Sequence, residues 1–182
     1  MLFTIYSTYL SLSLKLASKP RRGGGNMFRH QMETLAILLE YGYTEPILLK
    51  SSLIHDLLED GAYVDHHTLD DIATIDEDGP KVLTLVQEVS RLVVEGEEEP
   101  KNEFLLRIML QGSKQAKILK LADRISNISA LPMSGDQEFI RSYTDETVKY
   151  ILPYANSLNP AMAQELQNRI ALILTTIDHE RT

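Results

Sequence analysis

Apolar residues return every three or four positions along most of this chain, the spacing of one face of an α-helix. Near the start, Tyr6, Tyr9/Leu10, Ser13/Leu14 and Ala17 trace such a stripe and predict an amphipathic first helix. Asn26 is a good N-cap for a second helix through Tyr41, with Gly42 as its stop. Thr44 followed by Pro46 opens a third, expected to run to about Asp60. A loop over Gly61–His67 precedes a short helix from Thr68 to about Ala73. Pro80 opens the next, with Val82, Leu83, Val86 and Val89 inward, ending near Arg91. The stretch Glu95–Glu99 reads as a solvated acidic loop. Helices follow over Lys101–Gln111, Ser113–Ile128, Gln137–Leu152 and Pro160–His179. Strand signals are weak and no internal repeat is evident. The expectation is one all-α domain.

Composition narrows the class. The 182 residues, 43% hydrophobic and 24% charged, suit one soluble globular domain. There is no cysteine, which excludes disulfides, thiolate metal sites and thiol nucleophiles and agrees with a cytoplasmic setting. The opening apolar run lacks a basic leader and is broken by Ser and Thr, so it reads as a helix rather than a signal peptide. No segment approaches a membrane span. A net charge of −8 argues against nucleic-acid binding through a basic surface. The charge is uneven, however: residues 1–32 hold five of the 18 basic residues and none of the 26 acidic ones. That basic segment is either a local phosphate-binding wall or an ordinary solvated helix end. Gly23-Gly24-Gly25 follows no strand, matches neither phosphate-loop pattern and reads as a flexible connection.

One run breaks the pattern of apolar faces. In Ser52-Leu53-Ile54-His55-Asp56-Leu57-Leu58-Glu59-Asp60, an imidazole and three carboxylates interrupt an apolar segment. Residues four apart on a helix share a face, so with the third helix running to Asp60, His55 is expected to stack over Glu59 and Asp56 over Asp60. Such a group needs compensation if buried, and a divalent cation with its water supplies it. Without cysteine the ion would be held by His, Asp or Glu, which favours Mn²⁺, Mg²⁺ or Fe²⁺. His30, early in the second helix, and Asp123, in Lys120-Leu121-Ala122-Asp123-Arg124, complete the order H…HD…D. This is the ligand order of the HD phosphohydrolases. Two imidazoles and two carboxylates leave positions open for water and a phosphate oxygen.

Longer runs carry a narrower resemblance. They are Arg21-Arg22 ahead of the first His, the His55-to-Asp60 run, Ser113 through Asn127, and Glu146 through Asn156. Over roughly residues 15 to 160 the chain resembles the hydrolase domain of the RelA/SpoT homologues, which remove pyrophosphate from the alarmone (p)ppGpp. It is similar to their small stand-alone type, so alarmone synthesis is not expected. The resemblance implies a single-domain HD-type helical fold and one Mn²⁺ ion on His30, His55, Asp56 and Asp123. It implies Glu59 and Asp60 as the catalytic acidic pair, Arg22 stacked on guanine, and Asn127 near the sugar. Lys120, one turn before Asp123, is placed to reach a phosphate or a carboxylate. Arg21 or Lys19 is an alternative phosphate contact. His66-His67 reads as a solvated loop, and His179 lies in a polar tail.

The rim departs from the family. Gly23 stands where a basic residue usually follows the arginines, Gln31 replaces a proline after the first His, and Ser129-Ala130 replaces Arg-Thr. Guanine specificity is therefore more open than hydrolysis. Another nucleotide, such as an adenine alarmone or a phosphorylated dinucleotide cofactor, is the alternative substrate. A catalytically silent nucleotide-binding module is the reading from a different class.

Overall fold

Helix α7 (Lys114–Ala130) is buried on nearly every side, from Ala116 and Leu119 through Lys120, Asp123 and Arg124 to Ile128. A helix enclosed all round belongs at the centre of a bundle, and the others are arranged about it. The computed structural model describes residues 2–59 and 66–179. In chain order they form α1 (Leu2–Leu14), α2 (Met27–Glu40), α3 (Pro46–Ser52), α4 (His66–Ala73), α5 (Gly79–Val89) and a hairpin of β1 (Val93–Val94) and β2 (Glu97–Glu98). Then follow α6 (Lys101–Gln111), α7, a 3₁₀ turn at Leu131–Ser134, α8 (Gln137–Tyr150), α9 (Leu152–Leu158) and α10 (Pro160–His179). The fold is all-α, as the periodicity predicts.

Two apolar clusters meet at the site. The larger packs Leu38, Leu105, Leu119, Ile125, Met162 and Leu166 among α2, α6, α7 and α10. The smaller packs Tyr9, Leu16, Leu53, Ile54, Leu57 and Val86 among α1, the segment after α3, and α5. That segment is thus anchored by Leu53, Ile54 and Leu57, and His55 and Asp56 meet residues of α2 and α7 instead.

Capping sets the helix that carries His30. The Asn26 side chain accepts the Arg29 N–H at the start of α2. At its end Gly42 is left-handed, φ 79°, and the N–H groups of Gly42 and Tyr43 return to the carbonyls of Leu39 and Leu38. This paired closure needs a residue without Cβ strain at Gly42.

Three expectations are corrected. The third helix stops at Ser52 rather than Asp60. Ile54, Leu57 and Glu59 donate to carbonyls only three residues back, of Ser51, Ile54 and Asp56. The His55 ring takes the Ser52 carbonyl at 2.8 Å, offering that carbonyl a partner outside the helical ladder. The acidic loop is instead a two-stranded hairpin, Val93 facing Glu98 and Val94 facing Glu97. Its turn residues Glu95 and Gly96 both have positive φ, the geometry of the tightest hairpin turn. Two-residue strands are too short to show alternation. On α1 the inward residues are Tyr9, Leu12 and Ser13, followed by Leu16, while Leu10, Leu14 and Ala17 face out. Tyr9 and Ser13 of the expected stripe thus do face inward, and the three-residue turns into which the chain winds after Leu12 bring Leu16 rather than Ala17 to the inner side. Smaller shifts are α4 beginning at His66 rather than Thr68, and the break at Ile151 that makes α9 a separate element.

Candidate active site

His30 from α2, His55 and Asp56 from the turn after α3, and Asp123 from α7 converge on one buried point. His30 Nε2 lies 3.1 Å from Asp123 Oδ1 and 3.2 Å from Asp56 Oδ2. The two imidazole Nε2 atoms are 3.2 Å apart. His55 Nε2 is 3.4 Å from Asp56 Oδ2 and 3.8 Å from Asp123 Oδ1. His30, His55 and Asp56 thus offer ligand atoms mutually within 4.8 Å, with Asp123 beside both imidazoles. Atoms each ~2.1 Å from one cation would stand roughly 3.0–3.5 Å apart, so this set fits a divalent ion.

The hydrogen bonds behind the rings aim them. His55 Nδ1 faces the Ser52 carbonyl, which only accepts, so Nδ1 carries a proton and Nε2 is the nitrogen turned into the cluster. His30 Nδ1 lies 2.9 Å from Ser126 Oγ. Gln31 donates to Asp56 Oδ2 at 3.1 Å, and Asn127 donates to Asp123 Oδ1 at 2.5 Å. Lys120 Nζ donates to Asp123 Oδ2 at 3.0 Å. Ordered partners of this kind fix the orientation and basicity of ligands.

Electrostatics agree with the donor set. Burial disfavours the His30 imidazolium, but hydrogen bonds with Asp123 and Asp56 outweigh it and push its pKa up to about 9. Burial would raise the Asp56 carboxyl, yet the charge of His55 and the His30 hydrogen bond bring it down to about 2. Burial likewise opposes ionisation of Asp123, and the charge of Lys120 with the two histidines holds it well below the usual range. The point therefore draws positive charge, which a divalent cation supplies in place of protons.

A cleft of about 380 Å³ opens over these ligands. Glu59 lines it together with Lys19, Arg91, Lys101, Lys120 and Arg124. Glu59 keeps accessible surface, but the surrounding protein strips much of its solvation. Desolvation first, and repulsion by Asp56 second, push its carboxyl up to about 7. Asp60 lies outside the described residues.

The cleft cations are held by other contacts. Arg91 donates to the Glu99 carbonyl, and Lys101 pairs with Glu146 at 2.7 Å. Arg124 stacks 4.4 Å from the Tyr143 ring. Lys120 stands 4.7 Å over Phe104. Arg91 and Lys101 flank the hairpin in a stretch with no recognisable motif, so nothing in the sequence singled them out.

The expected substrate contacts separate. Asn127 and Lys120 border the cleft over the imidazole–carboxylate cluster. Arg22 lies in an adjoining cavity of about 180 Å³ that shares Met27, Asn127 and Tyr143 with the cleft. Its guanidinium sits 4.0 Å over the Phe139 ring and pairs with Asp136 at 2.5 Å. Arg21 is turned inward, donating to Glu33 at 3.2 Å and to Asn127 Oδ1 at 2.9 Å. Of the basic N-terminal residues only Lys19 reaches the cleft; its basic wall comes mainly from later in the chain. Two rim departures touch each other: a Cβ on Gly23 would lie 2.9 Å from the Ala130 carbonyl oxygen. A wider hollow of about 680 Å³ runs along α8, lined by one helix of mixed charge and without a ligand cluster.

No family model and no curated protein sequence matches the chain. Its structure, however, is similar to that of a metazoan orthologue of SpoT, a protein that hydrolyses ppGpp and plays a role in starvation responses. The two superpose with a TM-score of 0.76 at 21% identity, over 92% of this chain and 94% of the other. The likeness read from the motifs therefore extends to three dimensions, and the chain has the single-domain, HD-type helical fold of that small hydrolase.

Proposed function

We propose that this chain is a metal-dependent phosphohydrolase that removes the 3′-pyrophosphate of ppGpp and pppGpp, leaving GDP and GTP. The observation that carries the reading is one cleft with an imidazole–carboxylate cluster, His30, His55, Asp56 and Asp123, beneath five basic side chains. Anionic floor ligands suit a cation, and the basic walls suit a substrate bearing several phosphates. The structural likeness to a ppGpp hydrolase supports the fold-level part of this reading.

His30, His55, Asp56 and Asp123 would hold the ion, and Mn²⁺ is our choice among hard divalent metals. When bound, such an ion supplies Lewis acidity toward a phosphoryl group and its attacking water. Glu59, with a pKa near 7, accepts the proton of that water as it attacks phosphorus. Asp60 is assigned as its acidic partner. The bond from phosphorus to the 3′-oxygen breaks, the 3′-oxygen takes up the proton that Glu59 accepted, and pyrophosphate leaves. Lys120 and the other cleft cations offset the charge gathering on the departing group. Asn127 orients Asp123 and borders the sugar, and Arg22, already stacked on one face by Phe139, offers its other face to the base. The substrate is a small nucleotide rather than nucleic acid, and we assign the protein to the cytoplasm on its lack of cysteine.

The second reading, another nucleotide, is favoured by Gly23, which packs against Ala130 where the family carries a basic side chain. A panel of ppGpp, pppGpp, an adenine alarmone and a phosphorylated dinucleotide cofactor, assayed with Mn²⁺, tests both. Preferential release of pyrophosphate from the guanine alarmones supports the first reading. Ion-loaded protein that leaves them intact while hydrolysing another member establishes the second. Loss of turnover on neutralising Glu59 and Asp60 excludes a silent binding module.

A further inference from the structure

We infer that Glu33 is a positioning residue that fixes the metal-binding form of His30 through Ser126. The inference rests on the metal assignment above but concerns residues one layer out. Glu33 lies one turn after His30 on α2 and accepts the Ser126 hydroxyl proton at 3.1 Å. Ser126 has a single hydroxyl proton, so on the His30 side its oxygen accepts. The 2.9 Å contact with His30 Nδ1 is therefore an N–H donated to oxygen. Nδ1 keeps its proton, so Nε2, the nitrogen turned toward Asp56 and Asp123, is the one that would give its lone pair to an ion in place of a proton. His30 and Ser126 are each only 1% exposed, so water does not substitute for either partner.

The direction of this relay depends on Glu33 being charged. Burial opposes that, but hydrogen bonds from Arg29 and Ser126 and the charge of Arg21 hold its carboxyl below the usual range. Arg29 Nε donates at 2.7 Å and Arg21 at 3.2 Å. Arg21 also donates to Asn127 Oδ1, and Asn127 donates to Asp123. One continuous chain of bonds thus joins His30 and Asp123, two ligands on different helices. A neutral amide at position 33 can itself donate to Ser126. The hydroxyl would then be free to turn toward His30, favouring the tautomer whose Nε2 is blocked by a proton.

The test is Mn²⁺ affinity, by competition with a chelator, for wild type, Glu33→Gln, Ser126→Ala and the double variant, beside thermal melting in EDTA. Each single change should raise the dissociation constant by about 10- to 100-fold. The double variant should be no worse than the weaker-binding single variant by more than about threefold, because both cut one relay. In EDTA the near-isosteric Glu33→Gln protein should melt within about 3 °C of wild type. Wild-type affinity in Glu33→Gln overturns the inference, as do losses that multiply in the double variant or melting that falls in step with affinity. If Ser126→Ala does not fold, Glu33→Gln alone decides. Wild type that binds no Mn²⁺ would instead overturn the metal assignment itself, taking this inference with it.

Discussion

Glu59 is the side chain on which the proposed chemistry turns, because its environment raises its pKa to about 7 while Asp56 nearby stays ionised, with a pKa of about 2. Two carboxylates pushed apart in this way suit two roles, ligand and base. Glu59→Gln should keep the ion and lose turnover by roughly 10²–10⁴-fold; metal content and product release on the same preparation check both halves. The sign with pH follows from the raised value. The base form grows as pH rises, so kcat/KM should climb about tenfold per pH unit below 7 and level off above it. A pH profile equally steep in Glu59→Gln would assign that limb to another group. At this scale the motifs were informative: His30, His55, Asp56 and Asp123 do converge. Their outer partners were hidden because the bonds span great sequence distances, 93 residues for Ser126–Glu33 and 106 for Arg21–Asn127.

Among the elements, those with a cap and a long amphipathic stripe were legible, and those set by a local exception were not. Asn26 and Gly42 bracket α2, and Met162, Leu166, Ile170, Ile173 and Ile177 give α10 its buried face. The turn after α3 could not be anticipated, since its apolar residues suit a helix equally well. A half-buried ion cluster helps to hold α3 in place. Lys50 pairs with Asp76 at 2.8 Å and Asp78 at 2.7 Å, and Tyr9 donates to Asp76 at 3.0 Å. Lys50→Met leaves two carboxylates without their cation and should cost about 2 kcal/mol, less than a fully buried pair because both are partly solvated; urea denaturation measures it. Burial raises the Asp76 carboxyl, but the Lys50 and Tyr9 hydrogen bonds outweigh it and lower its pKa. Its contribution is therefore present above the ordinary carboxylate range and lost as pH falls through its own lower value. The gap between wild type and Lys50→Met should accordingly narrow in strong acid.

For the molecule as a whole, a chain of net charge −8 gathers five cations on one cleft. None of its described helices is long and apolar enough to cross a membrane. Local rather than net charge then governs capture of a polyanion, and salt should screen it. Raising NaCl from about 50 to 300 mM should increase KM for ppGpp several-fold with a much smaller change in kcat; equal loss in both would point to an effect on the fold. The most direct measurement is product analysis on ppGpp with protein stripped of divalent ions and then restored with Mn²⁺. The account predicts no turnover after stripping, and GDP with pyrophosphate in equal amounts after restoration. Undiminished hydrolysis by the stripped protein, or no pyrophosphate from the restored one, would contradict it.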